Sequence, residues 1–95
     1  MNKYELCLVL SARLEDEQRA DALERVKGYV TRFGGEIADI DEWGKRKLAY
    51  PIQKMDEGFY YFIHFDAEAA APAEIEAQLR IMEPVLRFLI VKQEA

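Results

Sequence analysis

The sequence predicts an α+β sandwich built in the order βαββαβ, and three observations predict it. Two amphipathic helical stretches stand between four stretches that alternate like strands. A double glycine ends the first helical stretch and a proline opens the second. No linker, repeat or low-complexity tract interrupts the 95 residues. The length suits one domain spanning residues 1–95. Apolar residues make up 51% and charged ones 33%, which supplies one packed core and lies outside the composition of disordered chains.

Residues 3–11 read as the first strand, with Tyr4, Leu6, Leu8 and Leu10 on one face and Glu5, Cys7 and Val9 on the other. One fully apolar face and one mixed face mark a central strand. Ser11 is a candidate cap near the next turn, and Glu15, Asp16 and Glu17 place negative charge where a helix begins. A helix then follows over residues 15–33, its stripe formed by Leu23, Val26, Val30 and Phe33. Gly34 and Gly35 end it. Gly28, inside it, suggests a close approach by a neighbour.

Residues 36–50 read as a long strand bent near Gly44, and Pro51, which cannot donate to a ladder, puts this strand at an edge. Residues 54–58, with Asp56-Glu57-Gly58, read as a turn. The most aromatic strand, residues 59–66, turns Phe59, Tyr61, Ile63 and Phe65 to the core and Tyr60, Phe62 and His64 away from it. Pro72 suits the first turn of a second helix over residues 73–82, which buries Ile75, Leu79 and Met82. Pro84 forces the exit, and residues 85–92 form the last strand.

Right-handed crossovers place the first and third strands at the centre of a four-stranded antiparallel sheet, with both helices on one face: the ferredoxin-like α+β sandwich. The other face stays open and displays Cys7, Val9, Tyr60, Phe62, His64, Arg87, Leu89 and Val91. An apolar patch of that size marks a binding surface. One occupant is a second copy, which would make the protein a homodimeric ligand-binding or regulatory module. Another is RNA, whose bases stack on sheet aromatics, either in a ribonucleoprotein or under a free regulator. The signature run of the RNA-recognition motif is absent from both central strands.

Catalysis finds little support. His64 is the one histidine, with no serine or cysteine constellation near it in sequence. Cys7 has no Cys-x-x-Cys partner and cannot close an internal disulfide, which fits a reduced, cytoplasmic protein. No phosphate loop or metal-ligand spacing appears, so no enzyme, metal or cofactor is expected. No apolar run approaches the roughly 20 residues of a membrane helix, and Glu5 falls where the apolar core of a signal peptide would begin. Net charge is −5, from 13 Lys and Arg against 18 Asp and Glu. Residues 45–54 nevertheless hold Lys45, Arg46, Lys47 and Lys54 with no acid. An acidic body with one basic ribbon fits either a solvated charged loop or a local anionic contact with a basic partner elsewhere.

Residues 44–52, G-K-R-K-L-A-Y-P-I, resemble the signature of the bacterial ribosomal protein S6 family of the small subunit. Lys3-Tyr4-Glu5 is similar to that family's opening strand, Gly58-Phe59-Tyr60 to its third, and Val85-Leu86-Arg87-Phe88 with Ile90-Val91-Lys92 to its last. The likeness covers essentially the whole chain, in order. Lys47 and Gln53 depart from the usual form, which bears on one phosphate contact, and members often carry a longer, sometimes acidic tail. The resemblance implies a ferredoxin-like structural protein of the small ribosomal subunit. It would bind the central domain of 16S ribosomal RNA at the platform, as a heterodimer with the small basic ribosomal protein S18. On that basis Lys3, Tyr4, Lys45, Arg46, Lys47, Lys54, Arg80, Arg87 and Lys92 are candidate RNA contacts. Trp43, Leu48, Tyr50, Tyr60 and Phe62 are candidates for the partner surface.

Overall fold

In the computed structural model, which describes residues 2–52 and 55–93 and leaves aside the side chains of residues 49–52 and 55, the elements follow the expected order. They are β1 (Asn2–Ser11), α1 (Asp16–Arg32), β2 (Glu36–Ile52), β3 (Met55–Ala67), α2 (Ala71–Arg80) and β4 (Val85–Gln93). The sheet order is β2-β3-β1-β4, antiparallel throughout, so the first and third strands are central and Pro51 lies on an edge strand. This is the ferredoxin-like α+β arrangement.

The core lies between the sheet and the helices. Tyr4, Leu6, Leu8 and Leu10 of β1 meet Tyr61, Ile63 and Phe65 of β3, and are covered by Leu23, Val26 and Val30 of α1 and Ile75 and Leu79 of α2. Phe59 and Phe33 pack at its margin. Met82, just past α2, is 3% exposed and closes one end.

Local chemistry sets the helix ends. The Glu15 backbone N–H donates to the Gln18 side chain at 3.0 Å, so α1 starts after Glu15, while Ser11 Oγ instead accepts from the Arg13 backbone in the preceding turn. At the other end Gly34 takes φ +85, its N–H bonding to the Thr31 carbonyl and that of Gly35 to the Val30 carbonyl. This is the paired closure that a left-handed residue after a helix permits. Gly28 differs from expectation: a Cβ there meets nothing within 4 Å, so no close approach requires this glycine. α2 spans Ala71–Arg80, two residues earlier at each end than the spacing predicts, with Pro72 in its first turn as expected.

The largest difference lies at residues 54–58. The Asp-Glu-Gly run reads as a turn, but β3 begins at Met55 and Glu57 stands directly opposite Lys47. Opposite charges across the ladder suit two paired strands better than the composition alone suggests. β1 follows β3 no further than Ser11↔Gly58, so beyond that pair β2 and β3 continue as a two-stranded arm. The arm leaves the body at the Arg46↔Gly58 pair, two residues beyond Gly44, where φ is +78 and the register shifts.

Candidate nucleic-acid and protein interface

The register divides the candidate cations between two ends of the sheet. Lys45, Arg46 and Lys47 stand exposed at the root of the arm. Arg87 pairs with Val9 at the same end of β1, and α2 brings Arg80 there too, since the chain after it is fastened by the bond from the Ser11 N–H to the Pro84 carbonyl. Lys3 pairs with Gln93, and Lys92 with Tyr4, at the opposite end. At about 3.4 Å per residue the length of β1 separates these groups by roughly 25 Å. Lys54 lies outside the described residues.

Charge differs between the two ends as well. Lys3 lines a cleft of about 250 Å³ together with Asp39, His64, Asp66 and Gln93, so acids surround it. At the arm Lys47 faces Glu57 across the ladder, and Arg46 lies 5.6 Å from the Trp43 ring while its Nε donates to the Trp43 carbonyl at 3.3 Å. The planar guanidinium is thereby held over an aromatic face rather than left to wander.

Tyr4 is a correction. Its ring is 6% exposed and stacks on Phe65 at 5.5 Å inside the core, which leaves no face for a base. Alternation along β1 turns it inward together with Leu6. Leu48 is the second correction: it is 8% exposed. Its Cδ2 lies 3.7 Å from where a Gly58 Cβ would stand, beside Val9 Cγ1. Val9, expected on display, is 2% exposed, and its Cγ1 lies 2.6 Å from the same Gly58 Cβ position.

The rest of the open face is available. Trp43, 49% exposed, packs on Phe62 at 4.7 Å and donates from its indole N–H to Asp41 at 3.1 Å. Leu89 and Val91 are 53% and 46% exposed on β4, and Cys7 and Tyr60 are partly buried between the strands. Burial pushes the Cys7 thiol up, with Glu5 adding to it against an opposing pull from Arg87, so the thiolate is disfavoured. The Tyr50 side chain is outside the described residues.

Sequence reasoning places His64 on the open face as a surface or interface residue and misses its partners. Its Nε2 lies 2.8 Å from Glu5 on β1 and its Nδ1 2.9 Å from Asp39 on β2, though the latter contact lacks hydrogen-bond alignment. Gln93 of β4 also donates to Glu5, at 3.4 Å. Hydrogen bonding to Glu5 raises the His64 pKa, burial opposes it, and Asp39 adds to the rise. Both ring nitrogens therefore face carboxylates, an arrangement suited to the charged imidazolium. Register alone joins Glu5 to His64, 59 residues away, and a shift between Ile37 and Asp39 brings in the third group. Among the described residues no group of three or more His, Cys, Asp or Glu could hold a metal ion, and no helix is long and apolar enough to cross a membrane.

Two layers, one sheet face covered and the other exposed, with a basic arm leaving the edge: the fold defines a protein that works through its surface. Comparison with known proteins makes this specific. The family model for Ribosomal protein S6 matches residues 3–92. A small ribosomal subunit protein bS6 from Caldanaerobacter subterraneus subsp. tengcongensis is 46% identical over 94 residues, and one from Clostridium novyi is 43% identical, with 99% of each chain covered in both cases. The crystal structure of 30S ribosomal protein S6 from Thermotoga maritima superposes with a TM-score of 0.92 at 28% identity, covering 97% of this chain and 87% of that one. The chain belongs to the ribosomal protein S6 family, whose members are structural proteins of the small ribosomal subunit.

Proposed function

We propose that this protein binds the central domain of 16S ribosomal RNA at the platform of the small subunit, as a heterodimer with ribosomal protein S18, and assists subunit assembly in the cytoplasm without catalysing a reaction. What supports this reading is the arm: the signature residues 44–52 run along β2 from the end of the three-stranded body into the two-stranded arm, with Lys45, Arg46 and Lys47 exposed beside an open sheet face. The arm presents Lys45, Arg46 and Lys47 to phosphate. The open face presents Trp43, Phe62 and Tyr60, with Asp41 and Asp39 beside them, to a basic protein. A net charge of −5 leaves most phosphate neutralisation to that partner.

RNA recognition of this kind relies on phosphate position and shape rather than on reading a long sequence. The test is binding of a central-domain 16S fragment at two salt concentrations, with and without S18. Partner-dependent, salt-sensitive binding is the expected result. No binding in either condition, together with concentration-dependent self-association, would replace this reading with a homodimer closed over the open face.

A further inference from the structure

We infer that Arg19, on the first turn of α1, is the positioning residue that sets the direction of the basic arm. The inference rests on the arm's proposed role for its meaning, but its geometry is independent of it. The Arg19 guanidinium lies 4.2 Å from the centroid of Phe59, and the Lys45 ammonium lies 5.7 Å from the same ring. Phe59 pairs with Leu10 on β1 and with Lys45 on β2, so this ring sits where the arm leaves the three-stranded body. Arg19 also lines, with Glu42, Trp43, Gly44, Phe59 and Tyr61, a cleft of about 270 Å³ at the kink.

The arm needs such a brace. Beyond Ser11↔Gly58 it has no third strand, and Gly44 supplies a bend without a side chain to fix its angle. The buried Leu48, over Gly58, anchors it from the open face. Arg19 braces its root from the helix face through Phe59 and is itself held by Asp16 at 3.1 Å. With its side chain 25% exposed, Arg19 is poorly placed to be a phosphate contact in its own right. Its planar cation, laid on the ring at the arm's root, holds Lys45 and hence Arg46 and Lys47 in one orientation.

The test compares Arg19→Met, which keeps the reach and removes the charge, with Arg19→Lys, which keeps the charge. Amide hydrogen exchange on the full chain is expected to quicken about tenfold at residues 45–48 and 56–58 in the methionine variant, with Leu6, Leu8 and Ile63 unchanged and the lysine variant close to wild type. With S18 present, affinity for the central-domain RNA fragment falls several-fold while its salt slope stays the same. Exchange that quickens uniformly across arm and core, or nowhere, overturns the inference. So does a salt slope reduced by about one unit, which would make Arg19 a direct phosphate contact. If wild-type protein binds no RNA, the proposed function fails, and the exchange data still decide the role of Arg19.

Discussion

Glycine shows what a single residue contributes here, and three glycines divide cleanly. At Gly28, exposed in the middle of α1, a methyl group meets nothing. Gly28→Ala is therefore expected to stabilise the protein by about 0.5–1 kcal/mol, through helix propensity and a less free unfolded chain. At Gly58 an added Cβ lies 2.6 Å from Val9 Cγ1 and 3.2 Å from the Leu10 carbonyl oxygen, under the corner covered by Leu48. Gly58→Ala should cost on the order of 1–3 kcal/mol, since a backbone oxygen cannot step aside. Gly35, where an added Cβ would lie 2.8 Å from the Val30 carbonyl oxygen, belongs with Gly58. Urea denaturation of the variants checks both signs, and equal midpoints for Gly28→Ala and Gly58→Ala would refute the contrast. The sequence announces the pair at 34–35 by its position after a hydrophobic stripe. It does not distinguish Gly28 from Gly58, because what approaches a glycine is decided by tertiary packing.

Individual elements are legible where periodicity speaks for itself. The inward faces of β1 and β3 and the stripe of α1 follow from spacings of two and of three to four, and the structure places them as those spacings require. The start of β3 is not legible, because Asp-Glu-Gly is turn-like in isolation and becomes strand only opposite the cations of β2. The strap across β1, β3 and β2 is hidden for a related reason: alternation assigns Glu5 and His64 to a face, but their pairing depends on register and that of Asp39 on a bulge. This strap carries a pH prediction. Glu5 and Asp39 hold the ring, Gln93 shares Glu5, and Lys3 and Asp66 line the same cleft. The folded-state pKa of His64 is raised above the ordinary value of about 6.5, so protonation favours the folded state. The stabilisation is complete below about pH 6.5 and disappears as pH rises through the raised folded value. In urea titrations between about pH 5.5 and 8.5, wild type should exceed His64→Gln most at the acid end, and the gap should narrow as pH rises. Parallel curves would mean that the strap does not sense protonation.

Across the whole molecule the proposed function turns on which end of the sheet would meet RNA. The residues singled out from the family likeness fall into two groups roughly 25 Å apart, a division that only strand register and the course of α2 make visible. At one end Lys3 stands among Asp39, Asp66 and the Glu5–His64 pair, so its field is largely cancelled locally. At the other, Lys45, Arg46 and Lys47 on β2 share one end of the sheet with Arg80 and Arg87, and of these Lys47 stands opposite Glu57. Summed charge rather than any one side chain steers a phosphate backbone, and this favours the arm end. The heterodimer carrying Arg46→Ala and Arg87→Ala together should therefore bind the central-domain fragment more weakly, with its salt slope reduced by roughly 0.7–0.9 for each phosphate left without its cation. The Lys3→Ala, Lys92→Ala pair should leave the slope nearly unchanged. Thermal melting controls for Arg46, whose removal also uncovers the Trp43 ring. If the Lys3, Lys92 pair instead lowers the slope as much as the arm pair, the RNA must run the length of the open face. The aromatic strip formed by Trp43 and Phe62 would then lie beneath nucleic acid, and the basic partner would have to dock elsewhere.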